Sequence, residues 1–119
     1  MTTPPRLAVE QISARRWRLL EPLTWREWTV PAGFVTDFAS SPRWAWPIVP
    51  QTGRHAWACV LHDWWYQGGD QGKSREQADV AFLVALLEAG VTPEKAVLMY
   101  RCVRISNDAR NQWRRHHVD

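Results

Sequence analysis

An α+β fold, a small antiparallel N-terminal sheet packed on about three helices, is the architecture this sequence predicts, on three observations. Short β-forming runs fill the first third of the chain. A Ser-x-x-Gln capping signature at Ser74 and Gln77 opens a helical stripe. Pro93 follows Thr92 at the favoured first-turn position of a further helix. Strands segregated from helices in this way are the pattern of α+β domains.

The strands come first. Residues 7–12 (Leu-Ala-Val-Glu-Gln-Ile) and 17–21 (Trp-Arg-Leu-Leu-Glu) are β-compatible runs, and residues 23–30 alternate apolar with polar. Pro31, Ala32 and Gly33 then make a turn into a short strand over 33–37. Together these runs predict a three- or four-stranded antiparallel meander. Thr36, Asp37, Ser40 and Ser41 cluster before Pro42, where short polar side chains cap a helix or satisfy a tight turn.

The helices follow. The first is expected from about Arg54 to Tyr66, with Cys59, His62 and Tyr66 on one face and Asp63 one step round from His62. Residues 67–73 hold three glycines and form a turn. The second helix opens at the Ser74 cap, and Arg75, Asp79, Phe82 and Leu86 form one stripe along it. A third runs from Pro93 to about Ile105, with Ala96, Met99, Tyr100 and Val103 as its apolar face. Residues 106–119 read as a basic tail pinned by Trp113.

The chain of 119 residues makes one domain, 1–119, with strands mainly over 5–42 and helices over 43–105. A hydrophobic content of 45% with nine Trp is enough for a packed core. Trp44, Trp46, Trp57, Trp64 and Trp65 crowd around the first two helices as core or cleft wall. Adjacent on one helix, Trp64 and Trp65 cannot both face inward, so at least one is expected at the surface. There it could meet lipid, a sugar or another subunit of an oligomer. Cys59 and Cys102 do not make a disulfide framework and are expected as buried free thiols.

The net charge of +3 is carried mostly by arginines, concentrated at Arg15, Arg16 and Arg18 and over residues 110–117. Clustered Arg near Trp can hold phosphates and stack on bases. No nucleic-acid fold signature accompanies them, however, and the net charge is small. Nucleic acid is therefore a disfavoured partner, and subunit contacts or anionic headgroups are the expected ones. No stretch approaches the roughly 18 apolar residues of a membrane span. No apolar core follows the first six residues as in a signal peptide. The expectation is a chain made in the cytoplasm of a host, with incorporation into a virion or lysis of the cell as its route to the envelope.

The chemistry concentrates in His62, Asp63, Tyr66, Arg75 and Asp79. His62 lies roughly 6 Å from the end of its helix and Asp79 roughly 7.5 Å down the next. Antiparallel helices would set them level. A hydrogen bond from one imidazole nitrogen to Asp79 would fix the tautomer and leave the other nitrogen to take a proton from water. The same residues also read as a structural network, since Arg75 and Asp79 at i, i+4 are an ordinary helix pair. Asp37 and Ser40 either serve their own turn or face His62 and complete a metal or oxyanion site.

His-Asp-x-x-Tyr at 62–66, with Cys59 before it and Asp79 on the next helix, resembles the core of secreted phospholipase A₂. The resemblance implies that His62 is the general base, that Tyr66 and Asp79 support it, and that Asp63 binds Ca2+. Asp37 is the candidate second carboxylate ligand, and Arg75, Ser40 and Thr36 are candidate substrate or support residues. That family's Gly-rich calcium loop and many disulfides have no counterpart here. A longer stretch, residues 25–105, is similar to a small domain family of unassigned function common in tailed phages and prophages. The similarity lies in residues 30–42, then Leu-His-Asp-x-x-Tyr, then Ser-Arg-x-x-Ala-Asp-x-x-Phe.

These readings make the expected function a phage-associated hydrolase, phospholipase-like, acting on an ester of the host cell envelope, with host phospholipid as partner. The contrary expectation is a non-enzymatic tail or head-completion component that binds phage structural proteins. A zinc peptidase is disfavoured, because His55, His62, His116 and His117 show no zinc spacing. The two leading classes separate on exposure: a base needs His62 in a cleft that solvent reaches, whereas a structural network has it buried and satisfied.

Overall fold

The computed structural model describes residues 5–14, 16–36, 55–69 and 72–117. Five short strands and four helices follow one another: β1 (Val9–Ser13), β2 (Arg16–Leu19), β3 (Leu23–Trp25), β4 (Trp28–Val30), β5 (Val35–Thr36), α1 (Ala56–Tyr66), α2 (Arg75–Glu88), α3 (Pro93–Ile105) and α4 (Asn107–His116). The fold is α+β, as the strand and helix signals predict.

The strands form two small antiparallel units where one meander was expected. β1, β2 and β5 make a three-stranded sheet with β2 in the centre. Val9 pairs with Leu19 and Trp17 with Thr36, and the register slips between Gln11 and Ser13. β3 and β4 form a separate hairpin with Leu23 opposite Val30 and Trp25 opposite Trp28. The alternating run 23–30 is therefore folded back on itself at Arg26 and Glu27. Arg26 takes φ 55, a value that usually favours Gly or Asn. Its guanidinium is held by Glu88 of α2, which also accepts from Trp25 Nε1 at 3.4 Å. Trp25 and Trp28 stack across the strands at 5.7 Å, the cross-strand contact that ties such a hairpin together.

α1 is the central element. Ten of its eleven residues are buried, the mark of a helix enclosed by core rather than lying on it. It packs on α2, α4 and β5. Trp65 is fully buried and Trp64 only partly, in line with the limit on two adjacent indoles. The helix ends where Gly69 donates its N–H to Trp64 O at 2.9 Å. Gly69 lies so close to the Trp64 indole that a Cβ would sit 2.2 Å from Cε2. The expected start at Arg54 falls outside the described residues.

The capping box of α2 is formed: Gln77 N donates to Ser74 Oγ at 3.1 Å and Ser74 N to Gln77 Oε1 at 2.9 Å. α3 has Thr92 at its cap and buries Ala96, Met99, Cys102 and Val103, with Tyr100 half-buried. The basic tail is itself a helix. Ser106 Oγ accepts from Ala109 N at 3.1 Å, Asp108 stands in the first turn, and Arg114, Arg115 and His116 fill the last. That charge order complements the helix dipole at both ends.

Candidate functional site

Asp79 is the hub of a buried polar cluster that joins three helices. Its Oδ1 accepts from Tyr66 OH at 2.7 Å and lies 2.7 Å from His62 Nε2. Its Oδ2 accepts from Arg104 Nη1 at 2.8 Å and lies 3.6 Å from Arg75 Nη1. Arg75 also donates to Tyr66 OH at 3.3 Å, Val103 O at 3.2 Å and Arg104 O at 3.3 Å. It thereby satisfies carbonyls at the C-terminal end of α3, which lack partners within the helix. The His62 ring lies between Phe82 at 4.3 Å and Tyr66 at 4.4 Å.

The electrostatics keep Asp79 ionised. Burial alone would raise the Asp79 carboxyl. The hydrogen bond and charge of His62, then the bonds from Tyr66 and Arg104, outweigh it and hold the group below the usual carboxylate range. An ionised carboxylate has no proton to give, so His62 donates through Nε2–H. Burial, followed by the Asp79 charge and hydrogen bond, pushes the Tyr66 hydroxyl well up, so it remains a donor.

His62, Tyr66, Arg75 and Asp79 thus converge as their spacing predicts. Asp63 turns toward α4, where its Oδ1 accepts from Gln112 Nε2 at 3.2 Å. It stands about 100° round the helix from His62, which separates the two side chains. Thr36 is buried at the end of β5, against which α1 packs. Asp37 and Ser40 lie outside the described residues. Arg104, Gln112 and Trp113 complete the surroundings, Trp113 meeting Tyr66 edge to face at 5.2 Å. Spacing on the first two helices could not reveal them. The available signal was that a buried Asp needs a cation, and Arg104 is a partly exposed Arg in the last turn of α3.

Calcium takes six to eight oxygen ligands. Among the described residues no three His, Cys, Asp or Glu side chains gather as a metal site. Both Asp79 oxygens are engaged by donors, and Gln112 occupies Asp63 Oδ1. The described residues do not fit a calcium ion. Cys59 and Cys102 are buried free thiols, and no helix among the described residues is long and apolar enough to cross a membrane.

Comparison with known families gives one match: the family described as Protein of unknown function (DUF1353) covers residues 15–103. The chain belongs to that family. No curated protein and no solved structure matches it. The DUF1353 region contains His62, Asp63, Tyr66, Arg75 and Asp79 and ends one residue before Arg104. The α4 residues that touch Asp63 and Tyr66 therefore lie beyond the matched DUF1353 region.

Proposed function

We propose that this chain is a phage-associated ester hydrolase acting on the host envelope, in which His62 is the general base for water. The observation that carries the reading is the pair of 2.7 Å contacts to Asp79 Oδ1, one from His62 Nε2 and one from Tyr66 OH. They hold the imidazole in one tautomer and one orientation, as a general base requires. His62 would take a proton from water as the water oxygen attacks the ester carbonyl. Asp79 would steady the imidazolium so formed. The His-Asp-x-x-Tyr resemblance to secreted phospholipase A₂ supports the ester class, and the motif similarity over residues 25–105 supports the phage association. No step is assigned to calcium, because the described residues do not fit it.

A second reading has its own observation. His62 and Asp79 are both 0% exposed and bonded to each other, the arrangement expected of a structural network. The hydrolase reading stands only with an opening that admits water to the ring. A virion component, in which the cluster only specifies how α1, α2 and α3 pack, needs no such opening.

The test is fatty-acid release from bacterial phospholipid vesicles, with and without chelator, by the native chain and by His62→Ala and Asp79→Asn variants shown to be folded. Release that disappears in both variants supports the hydrolase. Absence of release from folded native protein refutes it, and the virion component then stands. Loss of release on chelation would show that the activity needs a metal ion.

A further inference from the structure

The charge of this chain is sorted along its length. Residues 1–92 hold nine basic and nine acidic side chains, whereas residues 93–117 hold six basic and only two acidic. The C-terminal helices therefore carry more than the whole net charge of +3. Such asymmetry gives a molecule a positive end that attracts polyanions from a distance.

α4 shows how that charge is presented. Ala109 is buried, Gln112 bonds to Asp63, and Trp113 meets Tyr66, so these residues define the inward side. Arg110, Arg114 and Arg115 are exposed, as are Asn107 and Asn111. At about 100° per residue the three arginines span an arc of about 140°, and both asparagines fall inside it. Among the described residues no carboxylate pairs with any of these three guanidiniums. Asp108, the acid on this helix, lies in the first turn beside the Arg115 edge of the arc.

The composition of the arc suits a polyanion and offers no apolar face for insertion into lipid. A helix that lies in a lipid surface needs an apolar face free to enter the acyl boundary. Here Ala109 and Trp113 are directed into the protein, and the outer arc is Arg and Asn alone. Those residue types donate hydrogen bonds to phosphate oxygens and base edges. We infer that the exposed arc of α4, carried by Arg110, Arg114 and Arg115, is a docking surface for the phosphate backbone of duplex DNA. Binding through it is electrostatic and independent of sequence. It stands apart from the His62–Asp79 cluster, so it holds under either reading of that site.

The salt dependence is quantitative. Three neutralised phosphates give a slope of log affinity against log salt of about −2.7, or about a 40-fold loss between about 50 and 200 mM salt. The experiment is fluorescence anisotropy of a labelled random-sequence duplex across that range. It compares the native chain, the triple variant Arg110→Gln, Arg114→Gln, Arg115→Gln, and the corresponding triple Lys variant, with circular dichroism to confirm helix content. Sedimentation with anionic phospholipid vesicles runs in parallel. The expected result is native binding with that slope, retention in the Lys variant and loss in the Gln variant. Three results overturn the inference: no duplex binding at the lowest salt, binding that the Gln variant leaves unchanged, or vesicle binding without duplex binding.

Discussion

Arg104 Nη1 lies 2.8 Å from Asp79 Oδ2 and joins the end of α3 to the middle of α2. The carboxylate is fully buried, while the Arg104 side chain is 29% exposed. The hydrogen bond and charge of Asp79 hold this guanidinium more firmly protonated, against a smaller loss from burial. Removing Arg104 leaves Oδ2 with Arg75 at 3.6 Å. Arg104→Gln should therefore cost about 1.5 kcal/mol, the lower end for a hydrogen bond to a charged group because Arg104 is partly solvated. Urea unfolding of the two proteins at neutral pH measures it. A change under about 0.5 kcal/mol would show that Arg75 alone satisfies the carboxylate.

The same carboxylate sets a pH dependence whose sign is fixed. Asp79 in the folded chain titrates below its unfolded value of about 3.9. Its stabilisation is fully present above that value and is lost as pH falls through the folded value. Tyr66 is shifted the other way, so its contribution is complete below about pH 10 and declines as pH rises further. Asp79→Asn should be less stable than the native chain at neutral pH and lose less on acidification. Tyr66→Phe should lose less above about pH 10. Denaturation midpoints across the pH range read both; parallel curves for native and variant would place the titrations elsewhere.

Two glycines separate crowding from backbone strain. A Cβ at Gly69 would fall 2.2 Å from the body of the Trp64 indole, whereas nothing lies within 4 Å of one at Gly33, where φ is +90. Gly69→Ala must therefore displace the indole and should cost about 1–3 kcal/mol, the range for overpacking. Gly33→Ala meets only the left-handed backbone penalty of about 1–2 kcal/mol. Thermal unfolding compares their total costs. The near-ultraviolet dichroism of the tryptophans should change for Gly69→Ala alone; a native spectrum there would show that Trp64 need not move.

The legible parts of this chain were those written in local chemistry. Ser74 with Gln77, and Thr92 with Pro93, mark helix starts in any context, and both helices begin where those residues place them. The pairing of His62 with Asp79 was also legible, because two antiparallel helices with a short connection set residues at matched depths level. Asp63 was harder to place: its partner Gln112 lies 49 residues away on a helix read as a tail. Ser106 and the acid-to-base order of α4 were visible, but a mean composition of Arg, Asn and His resembles a solvated tail more than a packed helix. The hairpin at Arg26 had no glycine to announce it. It depends on Glu88, which only the assembled fold brings near.

α4 provides the last prediction, because its start rests on one side chain. Ser106 Oγ accepts from Ala109 N at 3.1 Å, and Ser106 N donates to Cys102 O at 3.1 Å as α3 ends. Ser106→Ala keeps the backbone bond and removes the cap, at a cost of about 1 kcal/mol. The loss should be local, since α4 meets α1 through Gln112 and Trp113 on its inner side. Amide hydrogen exchange should quicken across Asn107–His116 while α2 keeps its protection. Uniform quickening would mean that α4 opens only with the whole fold. In that case the Gln112–Asp63 and Trp113–Tyr66 contacts would be part of what holds α1 in place.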